Sequence, residues 1–262
     1  MAPIHAAAQK CNVAALRREL EAGVSPDLLN ADGCRPLYEA IVFGSAVRPP
    51  ESIRQRLACI EALLDAGASV NATSDGGITA LQTAVGQTDR SKYPADFELI
   101  VDRLLRAGAD VNAINARRTS VLAEAAYDGR STVIAKLLSA GAVDPRGFDE
   151  PLRRALICPR PRNCALLMRA GAVLKLDPDP ELNGWLEQSH YLRKVYETPG
   201  GFTAYEKAHR QRLTATFLPK FPSLPAEIVS HIVSFGFNLG CYEFDAAPVI
   251  EPVAHRTRSK GG

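Results

Sequence analysis

Residues 121–141 read Val121-Leu122-Ala123-Glu124-Ala125-Ala126-Tyr127-Asp128-Gly129-Arg130-Ser131-Thr132-Val133-Ile134-Ala135-Lys136-Leu137-Leu138-Ser139-Ala140-Gly141. Two short helix-forming runs lie on either side of Gly129-Arg130. In the second, over 131–139, Val133, Ile134, Leu137 and Leu138 recur at helical spacing and predict one buried stripe. Gly141 follows at once, where a helix needs a left-handed residue to stop and only glycine takes positive φ without a Cβ clash. In the first run Ala125 stands three places after Leu122, a small residue that lets a neighbouring helix approach closely. A pair of helices this short cannot bury its own apolar faces, so the pattern predicts further copies along the chain.

Those copies are present. The closing phrase, leucines followed by Ala-Gly, recurs at Leu20-Glu21-Ala22-Gly23, Leu63-Leu64-Asp65-Ala66-Gly67, Leu104-Leu105-Arg106-Ala107-Gly108 and Leu166-Leu167-Met168-Arg169-Ala170-Gly171. The opening phrase recurs at Pro3-Ile4-His5-Ala6-Ala7, Pro36-Leu37-Tyr38-Glu39-Ala40, Ala80-Leu81-Gln82-Thr83-Ala84 and Pro151-Leu152-Arg153-Arg154-Ala155. From opening to glycine the distance is 20 residues in units one, four and five, but 31 and 28 in units two and three. From each glycine to the next opening it is 13, 13, 13 and 10 residues, so the underlying period is 33. The excess in units two and three predicts loop insertions at about 44–54 and 86–95, where Pro49-Pro50 and Tyr93-Pro94 favour turns. Cys158-Pro159-Arg160-Pro161 predicts an interrupted middle for unit five.

A period of 33 with these phrases resembles the ankyrin repeat, whose opening reads T-P-L-H-x-A. Ser69-Val70-Asn71-Ala72 and Asp110-Val111-Asn112-Ala113 match the family's V-N-A ending. The resemblance implies an all-α solenoid of about five helix-pair units over 1–174, with bounds near 3–35, 36–79, 80–120, 121–150 and 151–174. It also implies that loop tips and first helices line a concave surface that binds a partner protein. The tip candidates are Asp32, Asp75, Ile78, Arg117 and Arg118; the first-helix candidates are Phe43, Gln87, Tyr127 and Asp128. Arg117 and Tyr127 belong to residue types enriched at interface hot spots. His5 stands where the family uses histidine as a structural hydrogen bonder.

After Gly171 the repeat stops, and Asp177-Pro178-Asp179-Pro180 reads as a linker into a helical region over 175–245. Helices are expected over about 182–196, 203–217 and 224–235. Pro225 and Glu227 make a good helix start, because proline presets φ and the carboxylate suits the positive end. Leu224, Ile228 and Ile232 follow as an apolar stripe. The phrase Leu224-Pro225-Ala226-Glu227-Ile228 with Ile232 resembles the opening of an F-box, which implies docking to a cullin-type ubiquitin ligase; a helix capping the repeats is the alternative. The tail over 246–262, with Pro248, Pro252 and the basic run His255-Arg256-Thr257-Arg258-Ser259-Lys260, is expected to be disordered.

Composition agrees with packed short helices: 46% of the 262 residues are hydrophobic and only 6% aromatic. A net charge of +2 argues for neither a nucleic-acid nor a membrane partner. The six cysteines include no C-x-x-C pair and read as reduced thiols, with no metal site expected. No phosphate loop, dinucleotide fingerprint, H-E-x-x-H or G-x-S-x-G is present, so neither enzyme chemistry nor a cofactor is expected. An enzyme hidden in the C-terminal third would need a concave pocket lined by convergent polar groups. No segment has signal-peptide or membrane-span character, so the expected location is the cytoplasm, with the basic tail leaving the nucleus open.

Overall fold

The computed structural model describes residues 2–42, 51–74, 76–90, 94–128, 130–144, 147–157, 161–176 and 183–238. Phe43, Asp75 and the 246–262 tail therefore lie outside the described residues. Among those described, the chain is all-helical, and β-pairing is confined to two isolated antiparallel bridges, Thr73 with Thr79 and Ile114 with Ser120. The chain divides into two compact units, Met1–Asp177 and Pro178–Gly262. No described helix is long and apolar enough to cross a membrane.

Among the described residues of the first unit, ten helices form five consecutive pairs: α1 (Pro3–Gln9) with α2 (Val13–Glu21), α3 (Pro36–Val42) with α4 (Glu51–Asp65), α5 (Ala80–Arg90) with α6 (Pro94–Arg106), α7 (Val121–Asp128) with α8 (Ser131–Ser139), and α9 (Asp149–Ile157) with α10 (Pro161–Arg169). First helices pack in order, α1 on α3 on α5 on α7 on α9. Second helices do the same from α2 to α10. The small residues explain the close first layer: Ala40, Ala84, Ala125 and Ala155 are fully buried between neighbours. Leu16, Leu63, Leu104, Leu137 and Leu167 fill the second layer with no exposed surface. Val133, Ile134 and Leu137 form the stripe read from sequence, but Leu138 is only half-buried.

Each second helix ends the same way. Gly141 has φ +85°; its N–H donates to Leu138 O at 3.0 Å and the next N–H, of Ala142, donates to Leu137 O at 2.9 Å. This pair of hydrogen bonds satisfies carbonyls that a helix end leaves bare. Gly23, Gly67, Gly108 and Gly171 repeat the arrangement.

The inserted loop expected at 86–95 is a correction. In unit three the extra residues lengthen helices, so that α5 and α6 have 11 and 13 residues, while of the loop expected at 44–54 residues 44–50 lie outside the described residues and 51–54 open the 15-residue α4. Gly86 lies inside α5, and Pro94 opens α6 instead of breaking a helix. Proline is well tolerated at a first helical position because that N–H would bond nothing. Pro161 likewise opens α10, so the fifth unit has both its helices.

The second unit holds α11 (Trp185–Gln188), α12 (His190–Glu197), α13 (Gly201–Phe217), a short 3-10 turn at Leu218–Lys220 and α14 (Ala226–Asn238). One helix was expected over 182–196. It breaks at Ser189, which is extended and whose Oγ accepts the Leu192 N–H at 3.3 Å, capping α12. Trp185, Tyr191, Leu192 and Val195 are buried, and Tyr191 meets Tyr205 of α13 edge to face at 5.5 Å.

Candidate interaction surface

Between successive helix pairs the chain forms a tight tip, and the first three tips share one frame. Asn30 accepts the Cys34 N–H on its side-chain oxygen at 2.8 Å, while its backbone N–H donates to Cys34 O at 3.0 Å. Asn115 does the same with Thr119, at 3.0 and 3.1 Å. Ser74 pairs with Ile78 at 3.4 and 3.0 Å. A polar side chain that bonds its own backbone a few residues on is what makes Asn, Asp and Ser turn formers. The residue three places on has positive φ in each tip: Gly33, Gly77 and Arg118. The fourth tip follows suit, with Gly147 N–H donating to Asp144 O at 2.8 Å and a φ of +85° at Gly147. Arg118, at φ +59°, is the non-glycine in this series.

The tips are bonded to one another. Arg35 Nη1 donates to Thr73 O at 2.6 Å, Ala116 N–H to Gly76 O at 3.0 Å, and Ser120 Oγ to Asp144 Oδ2 at 2.5 Å. A second ladder runs beside them, four residues after the helix-ending glycines. Asp27 accepts the Ser69 N–H at 3.1 Å, Asn71 the Asp110 N–H at 2.7 Å, and Asn112 the Val143 N–H at 2.8 Å. Asn71 also donates to Gly108 O at 3.2 Å.

Behind the tips, first-helix side chains brace the frame. His5 is fully buried and its Nε2 lies 3.1 Å from Cys34 O, so that nitrogen carries the donated proton. Gln82, at the equivalent position of the third unit, donates to Thr119 O at 2.9 Å. Glu39 accepts from Asn30 Nδ2 at 2.9 Å. Burial holds the Glu39 carboxyl above the usual carboxylate range, with the nearby His5 pulling the other way.

On this frame Asp32, Ile78, Arg117 and Arg118 are exposed at the tips, as is Tyr127 on α7. Asp128 is a correction: it is buried, because it shares the inward face of α7 with Val121 and Ala125 at i, i+4 and i+7. Gln87 holds the corresponding place after Ala80 and Ala84 and is half-buried. Between the first two tips, a cleft of about 20 Å³ touches Tyr38, Cys34 and Ile78, room for a water rather than a ligand. The sequence reading anticipated the His5 brace but missed Gln82, Glu39 and the ladder, although the Asn of each V-N-A phrase was the visible signal for the ladder.

The second unit presents two further features. Leu224, Ile228 and Ile232 are exposed by 37%, 47% and 57%, with Pro225 and Glu227 exposed beside them, while among the described side chains of α14, those of 226–232, Val229 is the buried one. Between α13 and α14 lies a cleft of about 600 Å³ touched by Thr203, Glu206, Arg210, Thr214 and Ser230. Glu206 and Arg210 pair there at 3.3 Å, which balances their charges against each other. Among the described residues no group of three or more His, Cys, Asp or Glu side chains could hold a metal ion. No family model matches the chain, and no curated protein matches it either.

Proposed function

We propose that the first unit is an ankyrin-repeat solenoid that serves as a scaffold, gripping a partner protein along the concave side formed by tips and first helices. It acts by binding, not by catalysis. One observation carries the reading: a row of tips built on the same hydrogen-bond frame, bonded each to the next, presents different side chains outward. The constancy of the frame fixes position, and the variety of Asp32, Ile78, Arg117 and Arg118 supplies specificity. Charge and aromatic bulk at Arg117 and Tyr127 suit the centre of such an interface.

Proximity labelling with the full chain in its native cell tests this. Arg117→Ala combined with Tyr127→Ala is expected to remove most of the labelled set, while Lys207→Ala in the second unit leaves it intact. Unchanged labelling in the double variant would overturn the assignment of the surface.

The exposed stripe of α14 favours a second reading, in which the chain is a substrate receptor that reaches a cullin-type ligase through Leu224, Ile228 and Ile232. Ile228→Asp with Ile232→Asp should then abolish recovery of ligase components. Their absence from the wild-type sample contradicts this reading.

A further inference from the structure

The first tip hangs on one side chain. Asn30 Oδ1 accepts the Asp32 N–H at 2.9 Å and the Cys34 N–H at 2.8 Å, and the Asn30 backbone N–H donates to Cys34 O at 3.0 Å. The remaining polar group of that side chain, Nδ2, donates to Glu39 Oε1 at 2.9 Å. Glu39 therefore holds the residue that holds the tip. Glu124 has the equivalent place on α7, nine residues after Asn115, but it is only half-buried.

Glu39 is 3% exposed, and among the described residues its Oε2 meets no hydrogen-bond donor. A carboxylate buried with one oxygen bare is costly, and a neutral carboxyl in the same place is far less so. The second brace of this tip also has a bare atom: His5 is fully buried, its Nε2 lies 3.1 Å from Cys34 O, and its Nδ1 has no partner among the described residues. A chain of hydrogen bonds thus runs from Glu39 through Asn30 and Cys34 to His5, with an unmet polar atom at each end.

Helices α1, α4 and α5 pack on α3 around this chain. From α1 comes His5, with Lys10 exposed at the helix end. The tip brings Asp32, Cys34 and Arg35, the last bonded to Thr73 O, and α3 itself adds Tyr38. From α4 the buried titratable side chains are Arg56 and Cys59, the guanidinium lying 5.2 Å from the Phe97 ring centroid. Helix α5 carries no titratable residue before Asp89.

We propose that Glu39 is a proton-operated latch on the first tip. Carrying its proton, the neutral carboxyl stays packed and fixes Asn30, and with it the Asp32 and Cys34 amides, in the closed turn. Ionised, the carboxylate is drawn toward water, and its turning out removes the Asn30 bond. Burial, and after it the like charge of Asp32, raise the Glu39 carboxyl above its usual range, while His5 and the Asn30 bond pull the other way. A carboxyl raised in this way binds its proton more tightly in the folded chain than in the unfolded one. The stability it contributes is complete below the unfolded value of about 4.3, and is lost as pH rises through the raised one. Mild acid therefore firms the tip. The consequence for partner binding rests on the scaffold reading; the latch itself does not.

Urea unfolding of the full chain between about pH 4 and about pH 8 compares wild type with Glu39→Gln, which keeps an acceptor for Asn30 and does not ionise. The wild type is expected to lose stability relative to the variant as pH rises, and the gap to level off once Glu39 is charged. Over the same range the Asp32 and Cys34 amides of the wild type should lose protection, after correction for the intrinsic pH dependence of exchange; those of Glu39→Gln should not. His5→Gln retains a donor, as Gln82 does in the third unit with its 2.9 Å bond to Thr119 O. Because it removes the opposing charge, it should move the transition to higher pH. The Glu39 carboxyl carbon of the wild type, followed by NMR, reads the latch directly even if the glutamine variant does not fold. Parallel stability profiles, or a Glu39 carboxyl that titrates in the ordinary glutamate range, overturn the proposal. None of these readouts involves a partner, so the latch and the scaffold reading fail separately.

Discussion

Arg118 occupies a backbone conformation that the other tips give to Gly33, Gly77 and Gly147. A side chain there works against the backbone, so its retention points to what the side chain does. Arg118→Gly is expected to raise the unfolding free energy by roughly 0.5–1 kcal/mol, the strain relieved less the entropy that glycine loses. Urea unfolding would measure it, and a less stable variant would contradict the argument. Partner labelling should fall in the same variant. At this scale sequence was a partial guide. Tyr127 and Arg117 were legible as exposed candidates, whereas Asp128 was misassigned because a charged residue at a helix end was read as outward when its register faces inward. The left-handed turn at Cys11, φ +50°, left no trace in composition or spacing.

Helices and their ends were the most legible elements, since Gly141 and its four counterparts mark a stop that other residues fill only under strain. Extra residues were harder to place. Glycine and proline in 86–95 were taken as loop signals, yet Pro94 opens α6, and position within the turn decides which effect wins. The Ser189 break was missed for a related reason: apolar spacing continued across a residue whose hydroxyl caps the next helix. What joins one pair to the next was in plain view without being understood, because Asn71 and Asn112 read as phrases rather than as hydrogen-bond donors and acceptors. Asn71→Ala removes the bonds to the Asp110 N–H and the Gly108 carbonyl. Both partners are open to water, so the expected loss is about 1 kcal/mol in urea unfolding. No measurable loss would show the ladder to be incidental.

In the whole first unit, neighbouring helix pairs depend on one another, because each buries an apolar face that the next one covers. The 33-residue period made that legible in the sequence. The second unit was less so: its helices were anticipated save for the break at Ser189, but an apolar stripe in sequence reads equally as core or as docking face, so Leu224, Ile228 and Ile232 stayed open between the two, and all three are exposed. The account rests on tips and pairs locked into one continuous row. Amide hydrogen exchange of the full chain, resolved residue by residue, tests that lock most directly. The N–H groups of Ser69, Asp110, Ala116 and Val143, which lie in loops, should exchange about 100-fold or more slowly relative to an unstructured chain. Free exchange at those four amides while the helices stay protected would contradict it.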